Sequence, residues 1–334
     1  MKIAPKGIEN LGNTCYINTC IQILSHITPI TKIIRESNVH NVTKIETFLL
    51  KNWKDIIDIM NNGVTDETIH PNGLIHSIEQ ISKHKNLSFL NNHEPEDITE
   101  FLIFLIECVH QCLNREIDIS ISGISENDLD DLAIDVYKTT KEQFEKEYSE
   151  MNFLFYGVQI SQILSLDNSC VYSRSAEGYF VLDLPLPLSE TNNVFSIYDC
   201  IENYIKPEIL EGDNKWLDEK KNEKISVQKS MSFWSFPNIL IISLKRNNYT
   251  GEKNDMNISY PLNLDLTKYV IGYKKTEFIY DLVGICCHIG NHINGHYTAF
   301  VNKEGKWYFC NDEKIQIVEK EEYLQTNYAY CLFY

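Results

Sequence analysis

Ile17, Cys20, Ile21 and Leu24 recur at i, i+3, i+4 and i+7, an apolar stripe that predicts a helix opening near Thr14. Ile45, Leu49, Trp53 and Ile56 predict a shorter helix over 43–58. Asp97-Ile98-Thr99-Glu100 has the form of a capping box with Asp in the first place, and Phe101, Leu105, Cys108 and Cys112 follow at helical spacing. A third helical stretch, 132–151, comes after Glu126, Asp128, Asp130 and Asp131, which read as a solvated linker. From about residue 153 the pattern changes to short β-rich runs at 179–184, 239–244, 278–286, 296–302, 306–310 and 328–334. Helices first and strands afterwards predict an α+β fold. The polar stretch 211–224 reads as an exposed turn or the tip of a projection, and no internal repeat or low-complexity tract interrupts the chain.

At roughly 150 residues per domain, 334 residues suit two domains or one elaborated catalytic domain, and 43% hydrophobic residues supply a real core. Thirty basic against 47 acidic side chains leave a net charge of −17, which argues against nucleic acid as a partner. The opening MKIAPKGIENLGNTC has no apolar h-region, and no apolar run approaches the ~20 residues of a membrane helix, so no membrane partner or secretion is expected. Ten cysteines without a regular framework fit reduced thiols in the cytoplasm or nucleus. Cys20, Cys108, Cys112, Cys286, Cys287, Cys310 and Cys331 fall in apolar patterns and read as buried small hydrophobes, as Trp307 and the tyrosines read as core and strand filling.

Cys15 differs in its place at a helix N-terminus, where peptide dipoles favour the thiolate. Gly7, Gly12 and Asn10 precede it in a turn able to build an oxyanion hole. A thiol protease also needs a base and a group to orient it. His296 opens a strand after a Gly-rich loop, and Asn311 or Asp312 ends the next strand, so a hairpin can bring them together. His288, His292 and His296 have the spacing of a helical metal site, but Gly290 and Gly295 oppose that helix, so His288 and His292 read as loop or core residues. The chain has no Cys-x-x-Cys pair, His-Glu-x-x-His, P-loop lysine motif or Gly-x-Ser-x-Gly elbow.

GIENLGNTCYINTCIQIL resembles the Cys box of the ubiquitin-specific proteases, and GHYTAFVNKEGKWYFCNDEKI resembles their His box. EDITEFL, GYFVLDLPLP, FPNILIISLKR and NYAYCLFY are similar, in order, to further landmarks of that family. The resemblance covers nearly the whole chain. It implies one catalytic domain over 1–334 with a papain-like hand: a helical thumb over about 1–150, and a β-rich palm with fingers over about 151–334, the fingers mainly within 154–240. It implies Cys15 as nucleophile, His296 as base and then acid, Asn311 as the residue orienting the imidazole and Asn10 as an oxyanion donor. Asp312 is a second acidic position that supports either the His or the oxyanion. Asp97 aligns with an acid that faces the basic tail of ubiquitin, and Tyr297 with an aromatic lining the channel for its terminal glycines. The acidic net charge favours encounter with such a tail.

The departures concern the fingers and the tail path. Members of the family often bind one zinc through two Cys-x-x-Cys pairs, but here Leu166 and Ser169 stand at the first pair, Cys170 is one place off, and Leu217 and Lys220 stand at the second. No metal and no cofactor are expected, with fingers reduced and held by β pairing and apolar packing. Pro95 and Glu96 replace paired glutamines, Asn247 replaces a Phe, and the loops 248–259 and 291–294 are short versions of those flanking the channel. The expected protein is a monomeric cysteine-type deubiquitinase. It hydrolyses the bond after the C-terminal glycine of ubiquitin, with ubiquitin and its conjugates as partners, in the cytoplasm or nucleus, or in the host cytosol if the source is viral. The alternatives are a catalytically silent ubiquitin-binding module and a protease for another ubiquitin-like modifier. An acyltransferase or transglutaminase using Cys-His chemistry lacks an acceptor-site signal.

Overall fold

The first apolar stripe becomes α1 (Cys15–Leu24), all ten of whose residues are buried. It packs on α5 (Ile98–Leu113) in a helical layer completed by α2 (Thr28–Glu36), α3 (Glu46–Asn61) and α4 (Asn72–Lys85). The computed structural model describes residues 4–36, 44–61, 68–87, 89, 96–187, 194–247, 252–273, 278–291 and 295–334; Pro95, His292 and most of the loop expected at 291–294 lie outside them. Asp97 caps α5 by accepting from the Thr99 backbone N–H, while Glu100 makes no reciprocal bond and is exposed, so only half of the capping box forms. Leu102, Leu105, Cys108 and Cys112 on α5 are completely buried, and Trp53 on α3 donates its indole N–H to Ser25 Oγ at 2.9 Å.

The acidic segment read as a linker is instead the start of α6 (Asp128–Phe144). Asn127 caps it, and Asp128, Asp130 and Asp131 sit in its first turn, where their charge complements the helix dipole. The helical stretch expected to run to 151 breaks before Ser149, whose side chain closes a capping box with Asn152 and starts α7 (Glu150–Phe155).

The strands follow: β1 (Gly157–Leu164), β2 (Val171–Tyr179), β3 (Val181–Pro185), β4 (Phe195–Ser196), then α8 (Ile197–Ile205), β5 (Glu208–Leu210), β6 (Trp216–Asp218), β7 (Glu223–Ile225), β8 (Val227–Ser235) and β9 (Ile241–Lys245). After them come β10 (Ile258–Ser259), β11 (Asn263–Asp265), β12 (Ile279–Asp281), β13 (Gly284–Gly290), β14 (Gly295–Lys303), β15 (Lys306–Asn311), β16 (Lys314–Ile317) and β17 (Ala329–Phe333). The largest sheet has the order β16-β15-β14-β13-β17-β9-β3 and is antiparallel except for β3 against β9. Its central strands are apolar on both faces for a structural reason. Cys286, Ala299, Val301, Cys331 and Phe333 pack against the helical layer, while Ile285, Cys287, Leu332, Ile242 and Leu244 pack in a second core with α8. α1 lies against β13, β14 and β15, so its N-terminus meets the loops at one end of this sheet.

A four-stranded sheet, β2-β1-β8-β5, forms a separate projection against α6. The stretch 211–224 lies in this region, mostly exposed, with β6 and β7 as a small hairpin. The β1–β2 turn, where the family places its first cysteine pair, is closed by Asp167. Its Oδ1 accepts from Ser165 Oγ at 2.6 Å and from both the backbone N–H and Oγ of Ser169. These bonds hold its carboxyl down at about 2. Among the described residues no group of three or more His, Cys, Asp or Glu side chains is arranged to hold a metal. The donor set at this turn does not fit zinc, and elemental analysis of the purified protein is expected to find less than about 0.1 zinc per chain. One zinc per chain would overturn that alignment.

Candidate active site

Gly7 through Asn10 run beside the turn joining β15 to β16. Ile8 N–H donates to Asp312 O at 3.0 Å, Asn10 N–H donates to Glu313 Oε1 at 2.9 Å, and a Cβ on Gly7 would meet Glu313 O at 2.2 Å. This close approach requires glycine, and it ties the segment before the nucleophile to the residues after Asn311. Gly12 and Asn13 then take positive φ of 95° and 52°, turning the chain into α1. Thr14 at the N-cap makes no side-chain capping bond, which leaves the first N–H groups of α1 to the site.

Cys15 is 7% exposed. Burial raises its thiol pKa, and the nearby Asp312 carboxylate adds to this, while the backbone N–H groups of Tyr297, Tyr16 and Cys15 itself favour the thiolate. The Tyr297 N–H ties β14 to Cys15, and His296 is the residue before it on that strand. His296 Nε2 lies 2.8 Å from Asn311 Oδ1. An amide oxygen only accepts, so Nε2 carries the proton and Nδ1 is left with the lone pair.

Asp312 takes a different position. Its Oδ2 is 3.8 Å from His296 Nε2 but accepts from Asn10 Nδ2 at 2.9 Å, and its Oδ1 accepts from Asn18 Nδ2 at 2.8 Å. The Asn10 side chain is held at both ends, because its Oδ1 accepts from the N–H groups of Gly12 and Thr14 and from Thr14 Oγ. An amide so fixed is a preorganised donor, with one N–H on Asp312 and a second to offer. Asn18 is a part of the site that the sequence reading does not name. Its signal is a polar side chain one turn after Cys15 on a helix all of whose residues are buried.

Asp97 belongs to the adjoining cleft, whereas Tyr297 does not line it but packs against Tyr330, which does. Tyr330 donates its hydroxyl to Asp97 Oδ2 at 2.7 Å, and the Tyr297 and Tyr330 rings meet edge to face at 6.1 Å. Asp97 lines an open cleft of about 290 Å³ with Glu100, Asp183, Ser243, Lys245 and Asn247 among others. The buried Arg246 also borders it, with Nε donating to the Ala329 carbonyl and Nη1 to those of Asn254 and Met256.

His288 is a core residue of β13. Its ring lies 4.6 Å from that of Tyr297, and burial together with the Lys253 ammonium pushes its pKa down to about 4. A Cβ on Gly295 would meet His288 Nε2 at 2.0 Å, so the residue before His296 must be glycine for β14 to close against this ring. Lys253 donates to His288 O at 2.7 Å and so pins the described part of the loop expected at 248–259; residues 248–251 lie outside the described ones.

A family model described as ubiquitin carboxyl-terminal hydrolase matches residues 6–334. The chain belongs to the ubiquitin carboxyl-terminal hydrolase family. It is 27% identical over 365 residues to ubiquitin carboxyl-terminal hydrolase 4 of Saccharomyces cerevisiae, covering 98% of this chain and 39% of that protein. With ubiquitin carboxyl-terminal hydrolase 2 of Homo sapiens it shares 26% over 341 residues, covering 98% of this chain and 54% of that protein. The chain thus spans about half or less of the length of these relatives. Among solved structures it is similar to a SAGA DUB module bound to monoubiquitin, with a TM-score of 0.74 and 22% identity over 98% of this chain and 68% of that one. That likeness establishes the α+β fold as the papain-like one of this hydrolase family.

Proposed function

We propose that this hydrolase is a thiol-dependent deubiquitinase cleaving the isopeptide or peptide bond after the C-terminal glycine of ubiquitin. The reading is supported by Cys15 at the N-terminus of α1, with the Tyr297 N–H of β14 turned to its sulfur, and by the His296 Nε2–Asn311 Oδ1 bond one residue along that strand. Cys15 gives its proton to His296 Nδ1, and its sulfur attacks the glycine carbonyl. The oxyanion is held by the second N–H of Asn10 Nδ2 and the first N–H groups of α1. His296 returns the proton to the departing amine, a thioester to Cys15 remains, and water activated by the same imidazole releases the carboxylate and the thiol. The helical layer serves as thumb, the seven-stranded sheet as palm and the four-stranded projection as fingers around the body of ubiquitin. We further propose that the enzyme is a monomer and that it works in the cytoplasm or nucleus, the latter supported by ten free cysteines, nine of them buried.

The test is a ubiquitin probe with a thiol-reactive C-terminal warhead, read by intact mass and peptide mapping. One adduct per chain, on Cys15, is expected. No adduct on a folded chain would overturn the reading in favour of a silent binder or a different modifier.

Asp97 is assigned to the basic tail of ubiquitin, facing the cleft with Glu100 and Asp183. Asp97→Ala should raise KM about tenfold with little change in kcat, and loss of the cap on Thr99 should cost about 1 kcal/mol of stability. Asp97→Asn keeps an oxygen for the cap and should raise KM without that loss. Steady-state kinetics beside thermal melts separate the two effects, and an unchanged KM would remove Asp97 from the binding role.

A further inference from the structure

Strand register puts one apolar side chain beside the base. Ile289 on β13 is the direct partner of His296 on β14, so the two side chains leave the same face of the sheet with Cβ atoms about 5 Å apart. Both are open to solvent, the imidazole side chain at 40% and Ile289 at 45%. The backbone around Ile289 is held. His288 before it donates its N–H to Tyr328 O at 2.9 Å, the His288 carbonyl accepts from Lys253 Nζ, and Gly290 after it pairs with Gly295. A lone exposed isoleucine is ordinary, but one fixed beside a solvent-open base stands where a leaving group must pass.

The two faces of β13 and β14 divide the substrate. His288 and Tyr297, the next register pair, leave the opposite face, where their rings meet that of Tyr330, whose hydroxyl bonds Asp97. That is the side the deubiquitinase reading gives to the ubiquitin tail, and the inference drawn here rests on that reading. The glycine carbonyl of the tail must reach Cys15, and the amine it loses must come within about 3 Å of the imidazole to take its proton. Whatever carries that amine therefore leaves across the face that His296 and Ile289 share. The imidazole has Asn311 of β15 on one side, at its Nε2, and β13 with Ile289 on the other.

We propose that Ile289 is a specificity residue for the leaving group: it packs against the unbranched methylene stem of an acceptor lysine and so favours isopeptide over main-chain peptide bonds. The two leaving groups differ at the atoms nearest the nitrogen. A lysine ε-amine is carried on a chain of methylenes, which gain from contact with a branched apolar side chain. A main-chain amine is followed at once by a substituted carbon and a carbonyl, whose oxygen loses water against Ile289 and finds no donor there in return. Ile289 takes no part in proton transfer, so its effect is confined to which amine is released faster.

The experiment compares kcat/KM of the whole chain on three substrates: ubiquitin linked to the lysine side chain of a short peptide, ubiquitin fused to the α-amine of the same peptide, and a ubiquitin C-terminal ethyl thioester, whose leaving group has neither a lysine stem nor an amide. Wild type should prefer the isopeptide to the linear fusion by at least about tenfold, and Ile289→Ser should lower the isopeptide value about five- to tenfold while the other two stay within about twofold. Ile289→Leu keeps the apolar surface and should stay within about twofold of wild type on all three. Ile289→Thr keeps the β-branching that suits a strand and should show the same order as the serine variant if that one is unstable. An unchanged isopeptide value, or a wild-type preference for the linear fusion, overturns the assignment. A loss shared equally by all three substrates also overturns it, for Ile289 would then act by supporting His296. If no ubiquitin substrate is turned over and the thiol-reactive probe leaves Cys15 unlabelled, the deubiquitinase reading falls and this inference with it; turnover without the Ile289 effect sinks this inference alone.

Discussion

Replacing Cys15 with Ala should reduce turnover of ubiquitin conjugates by at least ~10³-fold while leaving the affinity for ubiquitin within about threefold of wild type. Nucleophile and base act as a unit, so what survives is the small contribution of oxyanion donors and binding. Affinity should survive because Cys15 is 7% exposed and offers little surface to a bound protein. Cys15→Ser should be nearly as inactive, since a hydroxyl is a far weaker acid than the thiol that the helix N-terminus and Tyr297 N–H favour as thiolate. No other thiol is placed to substitute. Cys20, Cys108, Cys112, Cys200, Cys286, Cys287 and Cys310 are buried and held well above the ordinary thiol range by desolvation, Cys331 is buried in β17, and Cys170 is exposed in the β1–β2 turn. Single-turnover kinetics together with calorimetric binding to ubiquitin would decide it. Turnover within tenfold of wild type would move the chemistry away from Cys15.

The places of Cys15, His296 and Asn311, the residues proposed as nucleophile, base and orienting group, were legible because each stands at an element boundary that local pattern reveals: the head of α1, the opening of β14 and the end of β15. The same holds for the strands of the large sheet except the mostly exposed edge strand β16, since the others have buried faces that leave apolar runs. The four-stranded projection is different. Along β2 the residues are mostly exposed, so Ser, Arg and Glu occupy a strand that burial does not mark. α2 carries only Ile30 and Ile34 in the core, too few for a stripe, although Pro29 in its first turn is a starting signal. α4 was open to the same reasoning as α1, for Leu74, Ile75, Ile78 and Ile81 fall on one buried face. The acids before residue 132 mislead for a physical reason: charge near a helix start looks like a linker until its cap, Asn127, is taken into account. Least legible was the division of labour between Asn311 and Asp312, because the partners of Asp312 are about 300 residues away in sequence, at Asn10 and Asn18.

That division predicts unequal losses. Asp312→Ala should lower kcat by about 10²–10³-fold, the range for loss of a preorganised oxyanion donor, whereas Asn311→Ala should lower it by about tenfold. Asp312 sits at φ 49° just past β15, and this turn directs its carboxylate to Asn10 and Asn18 while Asn311 meets the imidazole. Without the carboxylate, Asn10 Nδ2 loses the partner that fixes it, and the buried Asn18 amide loses its shortest bond. Asn18 retains the longer contacts to the carbonyls of Ile8 and Glu9, so the loop should loosen without unfolding the domain. Without Asn311, His296 Nε2 still has Asp312 Oδ2 at 3.8 Å, near enough to accept its proton after a small shift and hold the same tautomer. Asp312→Asn should fall between, because one amide oxygen can hold Asn10 or Asn18 but its NH2 repels the other. Steady-state kcat and KM for the three variants, with melts to verify folding, test the order. If Asn311→Ala proved the more damaging and Asp312→Ala kept kcat within threefold, the carboxylate would be a turn residue and Asn10 would need no anchor to hold the oxyanion.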